Sequence, residues 1–130
     1  MNFESSEAQS VSELRREIVE ESVMSLKNAG ELKNISEVIL FGSTARGDAR
    51  RDSDVDIFCV TKDGRPMSSD EASLISRKIR AALPEVEVQM ASGDRSTATR
   101  FVSTKSSRHM DTEPAWLTYV LEDGTNENSL

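Results

Sequence analysis

The stretch FGSTARGDARRDSDVDIF, Phe41 to Phe58, decides how this chain is read. An apolar run, EVILF at 37–41, ends in Gly42 and Ser43. Ten residues later, Asp54 and Asp56 stand at the start of a second apolar run, DVDIFCV at 54–60. Ionised carboxylates beside a core must be paired, hydrogen-bonded or bound to metal. EVILF is short, β-rich and followed by glycine, which predicts a buried strand. DVDIFCV predicts a second strand, with Val55, Ile57 and Cys59 on one face and Asp54 and Asp56 on the other. Strand geometry then sets the two aspartates about 6–7 Å apart at the backbone, so that their oxygens can converge on a hard cation such as Mg2+. Two such ions roughly 4 Å apart clamp the attacking and leaving oxygens of a phosphoryl transfer.

Gly42 and Ser43 lie where a strand gives way to a turn or helix. Glycine lets a phosphate approach the backbone, and serine offers a hydroxyl and an exposed N–H. A turn glycine followed by an N-cap serine would look the same. A Walker phosphate loop is excluded: Gly42 and Gly47 have its separation, but Asp48 stands where the lysine belongs. Arg46, Arg50 and Arg51 flank the motif and can meet phosphate oxygens, Arg46 being nearest the turn. Solvated loop arginines are the other reading of Arg50 and Arg51.

Outward from this stretch, Ser10 and Glu13 suit a capping box, and Val11, Leu14, Ile18, Val23 and Leu26 predict a helix over 11–28 stopped by Gly30. Ser68 and Glu71 open another helix, with Ala72, Ile75, Ile79 and Ala82 as its stripe and Pro84 as its end. EVEVQM at 85–90 alternates strictly and predicts a strand with Val86, Val88 and Met90 inward. Residues 91–110 are small, polar and basic and yield no firm element, and 111–123 reads as a helix with Trp116, Leu117, Val120 and Leu121 buried and Gly124 as its cap. Residues 1–9 and 125–130 read as disordered tails on one domain spanning 1–130.

Composition narrows the function. A net charge of −7 argues against general nucleic-acid affinity, which needs a basic surface, although a locally basic pocket for one nucleotide remains open. The single cysteine, Cys59, allows neither an internal disulfide nor a cysteine zinc site and suits a buried thiol. The N-terminal segment lacks the basic and apolar regions of a signal peptide, and no apolar run reaches the ~20 residues of a membrane span. A cytoplasmic protein without membrane contact is expected. The basic residues Arg95, Arg100, Lys105, Arg108 and His109 suit a solvated loop, and His109, the only histidine, has no recognisable partner.

Taken together, a strand, Gly-Ser, ten residues and Asp-x-Asp within a strand resembles the signature of the DNA polymerase β-like nucleotidyltransferases. The longer form, GSTARGDARRDSDVDI, is most similar to the minimal nucleotidyltransferase (MNT) branch. The resemblance implies an α+β fold with a short mixed β-sheet flanked by helices. By resemblance, Gly42 and Ser43 hold the triphosphate of ATP, and Asp54 and Asp56 bind Mg2+, two ions being expected. A third carboxylate on a later strand completes the metal site. Glu87, between Val86 and Val88, is the best match, with Glu85 its rival on the same face; the family usually has aspartate there. MNT proteins are commonly paired with HEPN-domain toxins, and some neutralise them by adding AMP to a tyrosine. The implied function is adenylylation of such a partner by an antitoxin. Masking of the partner by binding alone, and nucleotidylation of a small hydroxylated metabolite, are the competing readings. Homo- and hetero-oligomers both fit.

Overall fold

The computed structural model describes residues 3–106 and 116–121. Along the chain run α1 (Phe3–Asn28), β1 (Ile35–Phe41), α2 (Ser43–Arg46), β2 (Val55–Thr61), α3 (Ser69–Ala82), β3 (Val88–Gly93), α4 (Arg95–Ser106) and β4 (Leu117–Val120). The strands form one mixed sheet in the order β3-β2-β1-β4. β1 and β2 pair antiparallel, with Phe41 opposite Asp56, and β2 and β3 pair parallel, with Asp56 opposite Gln89.

Alternation along β1 and β2 feeds two cores. Val38, Leu40, Val55, Ile57 and Cys59 pack against Val19, Val23 and Leu26 of α1 and against Ile75 and Ile79 of α3. Ile75 and Ile79 are fully buried, each contributing about 2 kcal/mol of apolar transfer. Ile39, Phe41, Phe58 and Val60 meet Ala98 and Val102 of α4 on the other face. Helices therefore cover part of both faces, and the aspartate end of the second face stays open. α3 begins with the expected capping box, Ser68 accepting from the Glu71 N–H and Glu71 reaching back to the Ser68 N–H.

Four expectations are corrected. α1 starts at Phe3 rather than near 11, so Ser10 and Glu13 lie inside the helix and cap nothing, and residues 3–9 are no disordered tail. The third strand is 88–93 rather than 85–90, because the Val55 N–H bonds the Glu87 carbonyl and ladder pairing then continues through Gly93. Residues 95–106 are a helix, concealed because the apolar side chains it buries are few, Ala98, Val102 and part of Phe101 among the described ones. The expected helix over 111–123 is overturned at 117–120, a strand paired antiparallel with β1 through Leu40↔Leu117 and Val38↔Tyr119. Trp116 and Val120 are exposed rather than buried, while Leu117 and Tyr119 pack on the α1 side. The open edge of β1 supplied backbone partners that a helix-like spacing could not reveal, and cross-strand packing overrode it. Residues 111–115, Gly124 and the tail at 125–130 lie outside the described residues. Among the described residues no helix is long and apolar enough to cross a membrane.

Candidate active site

β1 ends at Phe41 and the chain turns at Gly42, whose φ of 77° and ψ of −157° are open to glycine and strained for other residues. A side chain there would also collide with the Asp56 carboxylate, since an added Cβ overlaps Oδ2 and stands 3.2 Å from Cγ. The turn thus passes flush against the second aspartate of β2. α2 follows for four residues and is closed by Gly47, left-handed at φ 92°.

These elements enclose a cavity of about 730 Å3, whose wall includes Gly42, Ser43, Arg46, Asp54, Asp56 and Gln89. A volume of several hundred Å3 suits a small-molecule or nucleotide ligand. The sequence-predicted Gly42, Ser43, Arg46, Asp54 and Asp56 are therefore brought together. Arg46 is largely covered, and its Nε lies 3.5 Å from Asp48 Oδ2, a loose contact that a stronger anion can displace.

Glu87 and Glu85 are not brought to this cavity. Both are exposed in the segment before β3, and neither forms part of its wall. Continuing the β2–β3 register by one residue sets Glu87 level with Asp54, at the outer end of the sheet. Among the described residues, no group of three or more Asp, Glu, His or Cys side chains is gathered to hold a metal ion. The position level with Asp56 is filled by Gln89. Val86, Val88 and Met90 pack on the α1 and α3 side as the alternation predicts, so Glu87 and Gln89 share the sheet face of Asp54 and Asp56.

Sequence reasoning also missed the support of the site, which comes from α1. Arg15, only 4% exposed, donates from Nη1 to the Ser53 carbonyl and from Nη2 to the Arg51 carbonyl, both at 2.8 Å. Burial pulls its guanidinium below the ordinary arginine value, while the nearby charges of Asp52 and Asp54 oppose that shift. Arg16 donates from Nε to the Thr44 carbonyl at 3.0 Å and from Nη2 to the Ala45 carbonyl at 2.9 Å. Between them, Ser12 Oγ accepts from the Ala49 N–H at 2.9 Å. One face of one helix therefore holds both ends of the loop joining the glycine turn to the aspartates. A signal existed: Ser12 and Arg15 fall in the helical stripe of Val19, Val23 and Leu26, where apolar residues were due.

The basic stretch is partly accounted for, since Arg95 forms an ion pair with the largely buried Glu37 on β1. Arg100 is exposed, while Arg108 and His109 lie outside the described residues.

Residues 15–106 match the family model of the nucleotidyltransferase domain. In a solved structure of a "putative nucleotidyltransferase" from Sulfolobus solfataricus, the aligned sequence is 32% identical, covering 77% of this chain and 82% of that one, with a TM-score of 0.47. No curated protein matches the chain.

Proposed function

The chain belongs to the nucleotidyltransferase domain family, with an α+β mixed sheet that agrees with the polymerase β-like fold, and from that premise we propose that it transfers AMP from ATP to a hydroxyl of a partner protein. The observation that carries this reading is the junction of Gly42 with Asp56, which sets a bare phosphate-accessible turn beside a carboxylate pair in one cavity. The residues fit a divalent cation: Asp54, one residue before β2, and Asp56 within it line the same cavity, and the missing side chain at Gly42 leaves the Asp56 carboxylate room. Two carboxylates with substrate phosphates and water are a normal Mg2+ shell. When bound, Mg2+ polarises the α-phosphate and neutralises the departing pyrophosphate.

This chain's residues bind and orient. The Gly42–Ser43 turn receives the triphosphate, the Ser43 hydroxyl donates to it, and Arg46 exchanges its loose contact with Asp48 for a phosphate oxygen. The acceptor oxygen attacks the α-phosphorus, the bond to the bridging oxygen of the β-phosphate breaks, and pyrophosphate leaves. The hydroxyl proton passes to water. Positioning and electrostatics carry the rate.

The acceptor we favour is a tyrosine of a HEPN-type toxin, which makes this protein an antitoxin. An added nucleotide would block an RNA site by charge and bulk. Intact mass spectrometry of the neighbouring gene product, after incubation with this protein, ATP and Mg2+, tests it. An added AMP or oligo-AMP mass, lost with Asp56→Asn, is expected. Toxin inhibition without a mass change, retained by Asp56→Asn, would instead establish masking by binding. The exposed placement of Glu87 and the amide at Gln89 favour that second reading.

A further inference from the structure

We propose that Gln89 is the third wall of the reaction centre and that its uncharged amide limits the centre to a single divalent cation. The inference rests on the nucleotide-transfer reading and deepens it. Parallel pairing sets Gln89 level with Asp56, and residues level with one another in a sheet point to the same face. Ala91, two residues on, packs with Phe58 on that same face, and Gln89 lines the cavity with Asp54 and Asp56.

The other acids nearby do not supply a third ligand. Glu87, level with Asp54, lies outside the cavity wall at the end of the sheet, whereas Gln89, also exposed, lies within it. Asp52 also lines the cavity, but it is exposed, its charge acts on Arg15, and it does not gather with Asp54 and Asp56 into a group of three acids. Among the described residues, three acids converge nowhere.

The triphosphate offsets the charge of a cation that it shares with the two carboxylates. A second cation about 4 Å away, on the acceptor side and beyond the β- and γ-phosphate oxygens, meets repulsion that a further protein carboxylate would have to offset. An amide oxygen contributes a dipole and no charge, while its N–H2 donates. Gln89 therefore orients a phosphate or the acceptor oxygen by hydrogen bonding and cannot take up the acceptor's proton. Water does so, and the centre works as a one-cation site.

The test counts Mn2+ held per chain, by electron paramagnetic resonance, at saturating nonhydrolysable ATP analogue. Wild type should hold one ion without spin coupling. Gln89→Asp, with Gln89→Glu as the second variant, should hold two with the broadened spectrum of a coupled pair. Glu87→Gln should leave the wild-type count unchanged. Thermal melts establish that each variant is folded. A coupled pair in wild type, a lone ion in both folded acidic variants, or an ion lost in Glu87→Gln overturns the inference while leaving the proposed function standing. Failure of every protein to hold Mn2+ and nucleotide overturns both.

Discussion

Gly42 and Asp56 occupy adjoining space so closely that one excludes a side chain on the other: a Cβ at residue 42 would overlap Asp56 Oδ2. The glycine is fixed twice, by its positive φ and by this contact. Gly42→Ala should therefore cost about 1–3 kcal/mol from the backbone alone. It should also weaken Mg2+-dependent nucleotide binding at least tenfold by displacing the carboxylate. Calorimetry with an ATP analogue measures the second effect, and unchanged affinity in the folded variant would contradict this account of the turn.

Asp54→Asn and Asp56→Asn remove charge and preserve shape. Each should retain the wild-type fold by circular dichroism and lose most metal-dependent affinity for the nucleotide. Wild-type titrations in both folded variants would move the cation site elsewhere.

The α1 clamp should read out in stability as well as binding. Hydrogen bonds from a charged donor contribute about 1.5–3 kcal/mol each, and lysine cannot span two carbonyls as a guanidinium does. Arg15→Lys should lower unfolding free energy by about 2 kcal/mol in a urea titration. It should also raise KM for ATP more than it lowers kcat, because the loop it holds positions substrate. A variant as stable as wild type would show that the Ser53 and Arg51 carbonyls have replacement donors.

Cys59 is buried in β2, and burial pushes its thiol up to about 12. The unfolded thiol ionises near pH 8.5, so the folded state keeps its proton where the unfolded state loses it. This contribution to stability is complete below about pH 8.5 and is lost as pH rises from there through about 12. Cys59→Ala should flatten that decline in denaturant titrations across the alkaline range. Thiol reagents should leave native wild type unmodified and label it on unfolding.

Much of the fold could be read where one side chain pattern served one purpose. β1, β2 and α3 were legible because buried runs, turn glycines and the Ser68–Glu71 box all pointed the same way. β4 was not, because Leu117 to Leu121 suits a helix or a strand and the deciding partner, β1, is far away in sequence. In the site, Gly42, Ser43, Asp54 and Asp56 lie in the segment whose spacing carries the chemistry. Gln89 was hidden by a strand register that only pairing with β2 fixes, and the role of Arg15, although its place in the apolar stripe is visible, by carbonyl partners more than thirty residues away.

The contacts from Ser12, Arg15 and Arg16 to residues 44–53 tie two stretches that would otherwise open on different schedules. A loop with few partners of its own exchanges its amide hydrogens freely, whereas the sheet exchanges only on global unfolding. Here the Ala49 amide is sealed by a helix side chain, so its protection is inherited from the first half of α1. Deuterium should enter Ala49 and the α1 amides around Ser12 at matched rates, with β1 and β2 far behind. The reaction centre then belongs, in its fluctuations, to a cooperative unit that begins some thirty residues before the glycine turn.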